Sequence, residues 1–199
     1  MVLRVPTGRI QRIVAGEATE GQWWAVGDAP VRIASALAPL IDGRGAMLAM
    51  CVAFLTAKRS IWLADWSLHA HLLMVRGKDQ RAGPNGSPQQ SALVKRLRAA
   101  GLDDDALALW SAGRLHVSDV LGFAARRGVD VHVLLWNPFN PFDLLHIIND
   151  PAKQRKMLEP SGVQCRLDKN SRSPFHVAQA LHQKCAVVDG YTAFVGGVD

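Results

Sequence analysis

A chain of 199 residues, 49% of them hydrophobic, is long enough to bury one real core and too apolar to be disordered. Its formal net charge of +6 and pI near 9.7 favour anionic partners, such as nucleic acid, a phosphorylated substrate or an acidic membrane surface. Cys51, Cys165 and Cys185 lack C-x-x-C spacing, which argues against a disulfide framework or a zinc site and for a reducing compartment.

The N-terminus, MVLRVPTGRIQRIV, has no sustained apolar run of the kind a secretion signal needs. The most apolar stretch, Ala46 to Ala57, falls short of the roughly 20 residues that span a bilayer. The chain is therefore expected in the cytoplasm or peripheral to a membrane. Residues 1–30 read as an N-terminal arm and residues 31–199 as one lobe, with QWWAVGDAPVRI (22–33) as an opening strand or hairpin. Asp42-Gly43 is turn chemistry, and GAMLAMCVAFLTAKR predicts a helix whose closing Lys58 and Arg59 suit the negative end of its dipole. SIWLAD (60–65) predicts a buried strand, and residues 76–90, rich in Gly, Pro, Asn and Gln, an exposed loop.

SALVKRLRAAG (91–101) carries apolar residues at helical spacing and stops at Gly101. LHVSDVLGFAARR (115–127) is a second helix with Gly128 placed as its cap, and VDVHVLLW (129–136) is a strand broken by Asn137-Pro138. An irregular section, 137–150, precedes a short helix over 152–158 and a strand over 163–167. Two strands, 184–188 and 192–195, flank Asp189-Gly190 and read as a β-hairpin. Helix, glycine, buried strand recurs, which predicts an α/β fold: a mixed sheet flanked by helices.

Chemistry concentrates in the closing stretch, LHQKCAVVDGYTAFVGGVD. Alternation along a strand puts His182 and Lys184 on one face, roughly 7 Å apart along the chain. An imidazole there can act as nucleophile or proton carrier, and an ammonium beside it can hold phosphate oxygens. Asp189 has the opposite parity and sits at the turn, which suits a supporting part. An isolated H-x-K is common. The full string, His182, Lys184, Asp189 and then Gly196-Gly197, is far more particular.

Other clusters say less. His69-Ala70-His71 has strand parity but no third ligand spaced to complete a metal site, so no metal is expected. Lys95, Arg96 and Arg98, like Arg126-Arg127, read as solvated helix faces. The six tryptophans read as core, since they do not interleave with basic residues as a single-strand binder requires. Cys185 reads as a buried core residue. With no G-x-G-x-x-G, Walker loop or G-x-S-x-G, nucleotide cofactors and α/β-hydrolase chemistry find no support, and no cofactor is expected.

The string H-x-K-x-x-x-x-D followed by a glycine pair resembles the signature of the phospholipase D superfamily. The HQK and GGVD spellings look more like its phospholipase D branch than its cardiolipin synthases or small nucleases. SIWLADW is similar to the family's strand ending in Gly-Trp, and RRGVDVHVLLWN to its helix-to-strand unit, with Asn137 where Asp is common.

The resemblance, over about residues 30–199, implies a phospholipase D-like lobe and a metal-free phosphodiesterase. One histidine would attack phosphorus to form a phosphohistidine, and a histidine from a second such motif would protonate the leaving alcohol. Water or another alcohol would then release the phosphatidyl group. Carried over, His182 and Lys184 are catalytic with Asp189 supporting, and Asp65, Trp66, Asn137, Gly196, Gly197 and Asp199 rim the substrate. None of the other histidines precedes a lysine by two residues. The partner half-site is thus expected from a C-terminal lobe beyond Asp199 or from a second identical chain. Phospholipid is the expected substrate, ahead of nucleic acid. A homodimeric cardiolipin synthase or nuclease, and an inactive truncated lobe, are the alternatives.

Overall fold

The computed structural model describes residues 11–12, 36–79, 88–137, 150–168 and 182–196. The expectations for 22–33 and for most of 137–150 lie outside these residues, as do Gly197 and Asp199. In the stretch read as an N-terminal arm lies β1 (Gln11–Arg12), which pairs antiparallel with β2 (Ala36–Leu37) in the stretch read as the lobe.

Helix α1 (Gly43–Thr56) starts where the Asp42 side chain accepts the Gly45 N–H at 2.8 Å. It ends three residues short of Arg59, so Lys58 and Arg59 are not its last turn. Strand β3 (Ser60–Asp65) keeps the expected bounds, but it is not the buried strand expected: of its residues only Ile61 is buried. The loop read over 76–90 is shorter: Gly77–Asp79 form a 3₁₀ turn and α2 (Pro88–Ala99) opens on its proline, whose missing N–H costs nothing at a helix start. Helix α3 (Asp104–Ser111) was not anticipated. Asp103 caps it by accepting the Ala106 N–H, with Asp104 and Asp105 in the first turn where the helix dipole favours carboxylates.

Helix α4 (Val117–Arg126), strand β4 (Asp130–Leu135), helix α5 (Pro151–Leu158) and strand β5 (Gln164–Leu167) match the pattern read from the chain to within a residue or two. Gly101 and Gly128 stop α2 and α4 at φ 102° and 83°. At each, the glycine N–H and the one after it turn back onto carbonyls of the last turn, a closure that needs the left-handed conformation. The chain then makes β6 (Lys184–Val188) and β7 (Thr192–Val195).

The sheet order is β5-β4-β3-β6-β7, with β3, β4 and β5 parallel and β6 and β7 antiparallel additions, so the class is α/β with a mixed sheet. Facing partners share a side. Ile61, Val131, Val133, Leu135, Cys165, Ala186 and Val188 are all buried, and α4 lies on β4 and α5 on β5. The alternate residues look outward. Trp62 is 51% exposed and Val195 79%, while Cys185 is half-buried rather than core. Reading every tryptophan as core therefore fails at Trp62, which stacks on His132 on this open face with ring centroids 3.8 Å apart. Trp110 fits the expectation and is fully buried.

Helix α4 approaches the 3₁₀ turn Glu159–Ser161 closely enough to test. A Cβ on Gly122 would fall 2.7 Å from the Ser161 Cβ. Gly122→Ala is expected to destabilise by about 1–3 kcal/mol, and Ser161→Gly in the same chain to recover most of it. Melts of the two variants decide; an unchanged midpoint for Gly122→Ala refutes the contact.

Candidate active site

On the buried side of the β3–β6 ladder, facing pairs run Ile61–Val188, Leu63–Ala186 and then Asp65–Lys184. Two apolar rungs thus give way to one of opposite charge at the carboxyl end of β3. This end also holds the carboxyl ends of β4 and β5, the position where open α/β sheets commonly take ligands.

His182 lies just before β6, is exposed, and places Nε2 3.1 Å from Lys184 Nζ. Strand spacing alone implied a wider gap; the side chains lean together and close it. Since an ammonium only donates, a hydrogen bond between the two has the imidazole Nε2 as its acceptor. Trp66, one residue past β3, sets its ring at 72° to the His182 ring, with centroids 5.5 Å apart. Lys184 Nζ sits 5.7 Å from the same indole. Trp136, one residue past β4, stacks on Trp66 at 5.4 Å. Two neighbouring strands thus end in tryptophans that back the pair.

Asp65 is half-buried, and its Oδ1 accepts the Ser67 N–H at 3.1 Å. Burial pushes its carboxyl up from the ordinary value, against the opposing pull of the Ser67 N–H and the Lys184 charge. Asn137 is buried beside Trp136, whose backbone N–H donates to the Asp65 carbonyl at 3.2 Å. Gly196 donates its N–H to the Lys184 carbonyl, and a Cβ there would meet open space. The indole N–H of Trp136 is buried and has no acceptor among the described residues.

Asp189, grouped with His182 and Lys184 in a supporting part, does not join the pair. It follows the last residue of β6, about 17 Å along the strand from Lys184 at ~3.4 Å per residue. There its carboxylate accepts the backbone N–H groups of Lys58, Arg59 and Ser60 at 2.7–3.1 Å. Arg59 also donates its guanidinium to the Asp189 carbonyl. Asp189 and Gly190 have φ 55° and 79°, and the Tyr191 N–H donates to the Val188 carbonyl at 3.2 Å to close the turn between β6 and β7. Burial works to raise this carboxyl, but the three N–H donors outweigh it and hold it below the ordinary range. Asp189 therefore clamps the hairpin to the α1–β3 junction.

His69 reaches Ser67 Oγ at 3.4 Å, and His71 meets the His116 ring edge-on. No group of three or more metal-ligating side chains occurs among the described residues. Nor is any described helix long and apolar enough to cross a membrane. No family model matches the chain, and no curated protein matches it.

Sequence reasoning named Asp65 and Trp66 only as substrate rim and did not name Trp136. A signal for Trp136 existed: SIWLAD and VDVHVLL are each followed directly by tryptophan.

Proposed function

We propose that this chain supplies one half-site of a phospholipase D-type phosphodiesterase, hydrolysing or transferring the headgroup of phospholipids, on a phospholipase D-like lobe. The observation that carries the reading is the 3.1 Å approach of Lys184 Nζ to His182 Nε2 at an accessible strand end. An incoming phosphate would take the ammonium's hydrogen bond onto its own oxygen and free the imidazole lone pair. Nε2 then bonds to phosphorus as the P–O bond to the headgroup breaks, and the headgroup oxygen takes a proton from an acid. In the second step the conjugate base of that acid takes a proton from water or an alcohol as its oxygen attacks phosphorus, the P–N bond breaks, and the neutral imidazole returns.

The acid is a second imidazole, from a second half-site of the same kind. Lys184 offsets the charge that builds on the phosphoryl oxygens, and the basic balance of the chain favours an anionic surface. Incubation with phosphatidylcholine vesicles and acid-free quenching, followed by peptide mass spectrometry, should find a phosphatidyl adduct on the His182 peptide. The adduct should be acid-labile, as a P–N bond is. Headgroup release with no adduct, or with an adduct elsewhere, refutes the mechanism. Parallel assays with phosphatidylglycerol and DNA assign the substrate class.

A further inference from the structure

We infer that Asp65 is a positioning residue that holds the Lys184 ammonium against His182. The two side chains are direct partners across an antiparallel ladder, which sets their Cβ atoms about 5 Å apart on one face. The rung below is Leu63–Ala186, apolar on both strands. The Ser67 N–H anchors the Asp65 carboxylate, and the indole of the intervening Trp66 fills the space beside both His182 and Lys184. Asp65, Trp66 and Ser67 thus form one turn that presents a fixed anion and an aromatic wall to the pair. A lysine has four rotatable carbons, and an opposite charge on the same face limits where its head can go.

Among the described residues, the charges acting on Asp65 are those of Lys184 and His69, with His182 against Lys184; β4 ends there in the uncharged Trp136 and Asn137, and Asp168 lies two strands away. Burial disfavours the carboxylate, so its protonation on acidification comes earlier than for an exposed aspartate, releasing Lys184. Asp65 also repels an anionic substrate. Its removal therefore separates the two kinetic parameters, weakening catalysis while easing ground-state binding.

The kinetic arm rests on the phosphodiesterase reading; the spectroscopic arm does not. With bis(p-nitrophenyl) phosphate as probe, Asp65→Asn, which keeps the Ser67 acceptor, should lower kcat about 10- to 100-fold and leave KM equal or lower. The acid limb of the rate profile should move or vanish. Unchanged kcat with the acid limb in place overturns the inference. In the wild-type chain, the Lys184 side-chain NMR resonances should shift over the pH range in which the Asp65 carboxyl titrates; no response there also overturns it. A wild type inert toward the diester counts against the phosphodiesterase alone, and the NMR titration still decides the role of Asp65.

Discussion

His182→Ala is expected to lower phosphodiester turnover at least about a thousandfold, with no change in the melting temperature. The kinetic half follows from the chemistry: a nucleophile that forms the covalent intermediate has no substitute once its lone pair is gone. A thousandfold loss corresponds to about 4 kcal/mol of transition-state stabilisation. The stability half follows from the structure, because His182 is exposed and its polar contact, to Lys184 Nζ, is a solvent-facing one. Surface substitutions of that kind stay within about 0.5 kcal/mol. Initial rates and a melt on the same preparation test both halves. Retention of more than a tenth of wild-type turnover would remove His182 from the reaction.

Asp189→Ala should do the reverse, costing stability and sparing the chemistry. The carboxylate satisfies three backbone N–H groups at the α1–β3 junction, and alanine leaves them without it. Buried donors left unpaired cost ~1–3 kcal/mol each when water cannot replace the partner, and alanine at φ 55° adds strain. A loss of about 3 kcal/mol or more lowers Tm by roughly 6–12 °C in a chain of this size. Below the midpoint, turnover per folded molecule should match wild type, because Asp189 lies at the opposite end of β6 from Lys184.

The pH dependence has a definite sign. The folded carboxyl titrates below its unfolded value of about 3.9, so its contribution is complete above that value and fades as pH falls through the folded one. The gap between wild type and Asp189→Ala should therefore narrow in acid. Full stability combined with lost turnover would return Asp189 to the active site.

Asp65 and Asp189 are two aspartates under opposite electrostatic conditions. Burial dominates at Asp65 and raises its carboxyl, so a charged Asp65 subtracts from stability at neutral pH. Hydrogen bonds dominate at Asp189 and lower it. The first arrangement suits a site that keeps a charge at a cost in stability, and the second a structural clamp. Both residues sit at the end of a β-strand in sequence, and the local pattern separates them only by the glycine after Asp189 that marks a turn.

Much of the layer structure was legible from the chain because it is written in short-range patterns. Strand β3 runs from Ser60 to Asp65 as read, and β6 and β7 flank the Asp189-Gly190 turn as read. Gly101 and Gly128 stop their helices because left-handed backbone is cheap only for glycine. Helix α3 went unread although its signal was present: three aspartates, 103–105, precede the apolar ALALW.

By itself, then, the sequence determined the α/β class, most element boundaries and the nearness of His182 to Lys184, since each depends on residues only a few positions apart. Tertiary structure alone decided that Lys184 faces Asp65, that Trp66 and Trp136 stack behind the pair, and that Trp62 looks outward. It also carried Asp189 to the backbone of Lys58, 131 residues earlier. Strand order and register set these contacts, and alternation along a strand says which residues share a face without saying which strand lies opposite.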